Sequence, residues 1–155
     1  MNYSAGGGIG LGTFVGDFPS QTTFNGKIVF EFPSFISLFD KINFNLNFGQ
    51  KVEKFLPDSY NYKHYSYFTS FGISGVFTQS LGYNLFIDEG LGLIYLNDRS
   101  FSDIDEWNIG MQINISGGTP ISKNVILSIN IDYGLTFTNT NSSYIAFLAI
   151  CKYSF

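Results

Sequence analysis

The sequence predicts an all-β fold, an eight-stranded antiparallel up-and-down transmembrane β-barrel, formed by residues 1–155 as one domain. Three observations lead there. Apolar and polar residues alternate with a two-residue period in segment after segment, the pattern of a strand with two different faces. The segments recur at even spacing, separated by short stretches holding Gly, Pro, Asn, Asp or Ser. Only 13% of the 155 residues are charged while 19% are aromatic, and that charge content is about half the usual share for a soluble domain.

The first strand covers 3–14, where Gly6, Gly8, Gly10 and Gly12 alternate with Ile9 and Leu11. The second, 23–32, sets Ile28, Phe30 and Phe32 against Lys27 and Glu31. In the third, 42–49, Ile42, Phe44, Leu46 and Phe48 oppose Asn43, Asn45, Asn47 and Gly49. The fourth, 65–77, places Tyr65, Tyr67, Phe71, Ile73 and Phe77 opposite Ser66, Ser70, Gly72 and Ser74. The fifth, 85–96, has Leu85, Ile87, Leu91, Leu93 and Tyr95 against Asp88, Gly90 and Gly92. The sixth, 107–116, runs Trp107, Ile109, Met111, Ile113, Ile115 against Asn108, Gly110, Gln112, Asn114 and Ser116. The seventh, 125–137, carries Val125 through Phe137 on one face and Ser128, Asn130, Asp132, Gly134 and Thr136 on the other. The eighth, 144–155, shows Ile145, Phe147, Ala149, Cys151, Tyr153 and Phe155 on one face.

Side-chain size decides which face points inward. An eight-stranded barrel has an interior just wide enough for side chains, and the Phe- and Ile-rich face is too bulky for it, whereas Gly, Ser and Asn fit. A polar face of Asn, Ser and Gly would also be a poor solvated surface. The apolar face is therefore expected to meet lipid. The opposite parity would give a soluble lipocalin-like binder of an apolar ligand. Of six charged residues inside strands, Lys27, Glu31, Asp88, Asp132 and Lys152 share the polar parity. With Asn43, Asn45, Gln112, Asn114 and Asn130 they are expected to form a luminal polar network that fills the barrel. Glu89 alone has lipid-facing parity, and is expected at the water interface or at a bulge. Eight strands leave too little room for a pore.

Ten of the remaining charges fall in 51–63 and 98–106. Both termini lie at one end, so the outer connections are 15–22, 50–64, 97–106 and 138–143, and the inner ones 33–41, 78–84 and 117–124. The apolar 33–41 connection reads as interfacial. Aromatics gather near strand ends: Phe14, Tyr62, Tyr65, Tyr67, Tyr95, Trp107 and Phe137 at the outer rim, and Phe32, Phe77, Tyr83, Tyr153 and Phe155 at the inner. These are the two expected girdles. No run of apolar residues is long enough for a transmembrane helix. One cysteine excludes a disulfide framework, and a net charge of −4 argues against nucleic acid as partner.

The chain ends Ala149-Ile150-Cys151-Lys152-Tyr153-Ser154-Phe155, which resembles the C-terminal signal of bacterial outer-membrane barrels. With the Gly-rich first strand and the turn Thr119-Pro120-Ile121-Ser122-Lys123-Asn124, the whole chain resembles the small OmpX/OmpA-type barrel family. The resemblance implies a porin-like envelope protein of a Gram-negative bacterium, in contact with outer-membrane lipid and lipopolysaccharide. It also implies recognition of Tyr153 and Phe155 by the barrel-assembly machinery. A protein partner at the outer loops, or membership of a larger envelope complex, is compatible with it. Met1-Asn2-Tyr3 leads directly into the first strand, so the chain reads as a mature form with an added Met and no signal peptide.

No cofactor, metal or catalytic constellation stands out, and the expected role is non-enzymatic, structural or in surface interaction through the outer loops. The alternative rests on His64-Tyr65-Ser66, which resembles the His-x-Ser of an outer-membrane lipid A deacylase family, with Glu53 the nearest acid of suitable type. Tyr67 and Phe68 stand where that family has Asn-Ala, and the motif falls on strand four rather than near the C-terminus. Cys151 reads as a small apolar residue on the lipid face. Asp103 and Asp105 read as solvated loop acids rather than cation ligands, because no calcium-loop spacing is present.

Overall fold

The computed structural model describes residues 3–16, 19–56 and 65–155. Eight strands follow in chain order: β1 Ser4–Val15, β2 Gln21–Pro33, β3 Lys41–Lys51, β4 Tyr67–Gly82, β5 Leu85–Arg99, β6 Glu106–Pro120, β7 Val125–Thr136 and β8 Ser143–Ser154. Each pairs antiparallel with its successor, and β1 pairs with β8, so the sheet closes as a barrel with no free edge. All eight predicted strands are present. The register fixes the barrel's girth. Followed once round from Glu89 through Ile115, Ile131, Phe147, Leu11, Phe24, Gln50 and Tyr67, it returns to β5 at Arg99, ten residues further on. With standard strand spacing and rise, that stagger tilts the strands by about 40° from the axis.

Several strands outrun their alternation. The predicted 78–84 connection is mostly strand, with β4 continuing to Gly82 and β5 restarting at Leu85. Tyr83 and Asn84 alone make the turn, both left-handed at φ 49° and 63°. That is the two-residue geometry that matches strand twist. Likewise β5 reaches Arg99 and β6 reaches Pro120, beyond the predicted ends at 96 and 116. Backbone pairing persists there after the apolar face gives way to polar residues. Past β3, Val52–Phe55 form one 3-10 turn. In the 33–41 connection, Phe39 folds back on the outer wall, 5.0 Å from the Phe77 ring and against Gly75.

The faces follow size and polarity. Ile9, Phe30, Phe44, Ile73, Leu93, Ile113, Ile131 and Phe147 are exposed on the outside, while Lys27, Asn45, Gln112, Asn130 and Asp132 are buried inside. The interior is not filled by small and polar residues alone, however. Phe14, Val29, Phe68, Val76, Ile94, Leu96, Tyr144, Leu148 and Ile150 are also buried there. Phe14, expected on the outer girdle, is 1% exposed and inward-facing, because its even parity in β1 matches that of the inward glycines. A stagger of ten residues makes the barrel too wide for Gly, Ser and Asn to close, so larger groups fill it.

Candidate functional site

The lumen is stacked in layers. Nearest the termini, Lys152 Nζ lies 2.7 Å from Glu31 and 3.6 Å from Asp88, while Lys41 reaches Asp88 at 3.0 Å. Ser4 donates to Glu31 and Thr78 to Asp88, each at 2.7 Å. Lys41 shares the inward parity of Asn43 and enters this group because β3 begins at Lys41, one residue before the alternation marks its start.

Midway, Lys27 donates to both oxygens of Asp132 at 2.9 and 2.7 Å, and Asn114 and Asn130 donate to the same carboxylate at 2.6 Å. Ser74 donates to Asn114 at 3.1 Å. A third chain runs through the asparagines of β3, where Asn47 donates to Asn45 and also to the Tyr144 hydroxyl at 3.0 Å. Asn45 in turn donates to Asn43 at 3.5 Å. Gln112 lies over Gly72 and has no hydrogen-bond partner among the described residues. The ten residues of the expected network thus form separate clusters. Between the first two, a cavity of about 20 Å³ is lined by Lys27, Glu31, Asp88 and Lys152 among others, room for about one water.

Above the charges lies an apolar layer. Phe68 stacks on Tyr144 at 4.7 Å and meets Phe14 at 4.9 Å, with Ile94 and Leu96 in the same buried cluster. Its one sequence signal was the apolar residue on the polar parity of β1, β4, β5 and β8. Beyond it, at the outer mouth, Asp98 is fully buried. It accepts hydrogen bonds from Ser100 N at 2.8 Å and from Ser142 Oγ.

On the outer wall, Tyr95 stacks on Trp107 at 4.6 Å and Phe48 meets Tyr67 at 6.1 Å. At the other end Tyr3 meets Phe32 at 5.8 Å and Tyr153 meets Phe155 at 5.2 Å. Tyr83 stands wholly exposed at the hairpin tip. The Tyr65 side chain is half-buried and Phe77 is outward, opposite Glu89. Glu89 sits in regular register between Phe77 and Ile115, and the register shift in this hairpin lies instead between Ser80 and Gly82. No bulge explains Glu89. It is exposed beside a residue of the inner aromatic belt, within reach of interfacial water.

The sequence's catalytic candidates are not assembled among the described residues. Ser66 is buried and donates its hydroxyl to the Ser100 carbonyl at 2.7 Å. Glu53 is half-exposed and lies 3.7 Å from Lys51. His64 and Tyr62 fall outside the described residues, as do parts of loops 15–22 and 50–64. Asp105 pairs with Arg99 at 2.6 Å and accepts from Asn97, while Asp103 is exposed. Cys151 is free and outward-facing.

No protein-family model and no curated protein matches this sequence. Solved structures do. The neisserial surface protein A superposes with TM-score 0.73 at 13% identity, over 99% of this chain and 97% of the other. A major outer membrane protein from Thermus thermophilus gives 0.64 at 11%, over 99% and 98%. Ail, the attachment invasion locus protein of Yersinia pestis, gives 0.61 at 8%, over 99% and 98%. Ail has also been solved in complex with the heparin analogue sucrose octasulfate. This chain has the fold of small eight-stranded outer-membrane barrels.

Proposed function

We propose that the protein is a non-enzymatic integral barrel of the bacterial outer membrane, whose role is structural or in surface interaction through the loops at 15–22, 50–64, 97–106 and 138–143. The observation that supports this best is the contrast between wall and lumen. The wall is an apolar surface suited to hydrocarbon, with Glu89 at its inner margin. The lumen is packed shut by ion pairs below and aromatic rings above. A barrel that transmits nothing through its centre offers the environment its rim. Lipid and lipopolysaccharide would surround the wall, and Tyr153 and Phe155, both exposed at the end of β8, would be read by the barrel-assembly machinery.

Sulfated polyanions, of the kind the Ail complex contains, suit this rim poorly. The 98–106 segment carries Asp98, Asp103, Asp105 and Glu106 against Arg99 alone, and the chain's net charge is −4. A neutral or cationic partner fits better. The lipid A hydrolase reading is disfavoured because the Ser66 hydroxyl is buried and engaged with a carbonyl.

The test is accessibility in intact cells. In a Cys151→Ser background, Ser102→Cys should react with a membrane-impermeant maleimide without permeabilisation. Labelling that requires a broken outer membrane would reverse the orientation. Recovery of the protein in a soluble, detergent-independent fraction would end the membrane reading altogether.

A further inference from the structure

Four carboxylates are buried among the described residues, Glu31, Asp88, Asp98 and Asp132. Three of them have a lysine: Lys152 for Glu31, Lys41 and Lys152 for Asp88, and Lys27 for Asp132. Asp98 has none among the described residues, and neutral donors alone, Ser100 N and Ser142 Oγ, hold it. Those two donors orient the carboxylate without neutralising it, and a buried charge is strongly disfavoured unless it is paired.

A second observation points at the same place. Ser100 Oγ is buried and has no hydrogen-bond partner among the described residues, although a hydroxyl both donates and accepts. It and Asp98 Oδ2 converge on the bare side of Gly16. A Cβ on Gly16 would lie 2.8 Å from Ser100 Oγ and 2.9 Å from Asp98 Oδ2. The missing side chain leaves a cradle walled by one anionic and one neutral oxygen. Two more neutral oxygens stand beside it, for Ser142 Oγ bonds Asp98 and lies 2.6 Å from Thr140 Oγ1. The layer of Phe68, Tyr144 and Leu96 separates this cradle from the lysines below, so no luminal ammonium can reach it.

We infer that Asp98, Ser100, Ser142 and Thr140 form a cation site at the outer mouth, selective for a hard, oxygen-seeking ion of the calcium class. The donor set is all oxygen, with a single carboxylate and flexible hydroxyls, and loop carbonyls and water would complete the shell. Such a set suits calcium better than magnesium, which demands near-octahedral geometry. One carboxylate implies weak binding, in the roughly 10⁻⁴–10⁻³ M range of extracellular modules. The ion would tie the outer end of β5 to the 138–143 loop and stiffen the rim that the proposed role depends on.

The test is thermal unfolding of the detergent-refolded protein in millimolar CaCl2, in EDTA and in NaCl of equal ionic strength, with equilibrium binding of radioactive calcium alongside. Calcium should raise the wild-type unfolding temperature by a few degrees and bind at one site per barrel. Asp98→Asn should lose both effects, while Asp103→Asn, a nearby exposed acid, keeps them. Gly16→Ala fills the cradle yet leaves the carboxylate in place, so it should lose calcium binding even if Asp98→Asn fails to fold. A wild-type protein indifferent to calcium overturns the inference, as does a Gly16→Ala variant that still binds it.

Discussion

Lys27 Nζ lies 2.7 Å from Asp132 Oδ2 at the centre of the barrel, with both side chains sealed from solvent. The pair spans from β2 to β7, strands that share no hydrogen-bonded edge. Removing the lysine alone strands a carboxylate that Asn114 and Asn130 can solvate only in part. Lys27→Met is expected to cost about 3–5 kcal/mol. The double variant Lys27→Met/Asp132→Leu should recover most of it, since neither charge then remains to be desolvated. Urea unfolding followed by the fluorescence of Trp107, the one tryptophan, measures both.

The closing seam depends on residues without side chains. A Cβ on Gly10 would lie 1.8 Å from the Phe147 carbonyl oxygen of β8, whereas one on Gly26 would meet nothing within 4 Å. Gly10→Ala should therefore sharply reduce the yield of heat-modifiable, folded barrel on gels. Gly26→Ala should refold like the parent, so equal yields would contradict the seam geometry.

The aromatic layer is a second, independent seal. Phe68→Ala removes the ring between Phe14 and Tyr144 and is expected to cost about 3–5 kcal/mol. The lumen should nonetheless stay closed, because the Lys27–Asp132 and Lys152–Glu31 pairs lie below it. Steady conductance of this variant in a planar bilayer would show that the ring, not the charges, is the barrier.

Depth separates two outward positions. Ile131, midway along the wall, faces hydrocarbon, and Ile131→Arg should cost about 2–4 kcal/mol in lipid bilayers. Glu89, beside the inner belt, is expected to tolerate Glu89→Leu with a change of less than about 1 kcal/mol. A large gain from Glu89→Leu would place that carboxylate deep in the bilayer.

The chain's end separates folding from delivery. Phe155 N donates to the Tyr3 carbonyl at 2.9 Å through its backbone, so Phe155→Ala preserves that bond and should refold normally in detergent. Assembly in cells should fall several-fold, read as outer-membrane yield. Equal losses in both settings would make Phe155 a purely structural residue.

How much of this was legible beforehand depends on the kind of residue. Strand number and the direction of Lys27, Glu31, Asn45 and Ile131 follow from alternation, because every strand meets two different solvents. Strand ends were less legible, since Arg99 and Pro120 extend pairing that backbone hydrogen bonds sustain without an apolar face. The layer of Phe14, Phe68 and Tyr144 was hidden by the assumption that polar parity means polar filling. Lys41 was hidden because it fell in the 33–41 connection, although it shares the inward parity of Asn43 once β3 is extended back by one residue.

That the chain forms a β-barrel turned outward follows from periodicity and side-chain size, local properties that each strand carries alone. Tertiary structure decided who meets whom inside. The ten-residue stagger of the closed sheet set the width to be filled, brought Lys27 of β2 to Asp132 of β7, and left Asp98 at the outer mouth beyond the reach of any lysine in the lumen. Such partnerships arise when a ring closes, and no single strand contains them.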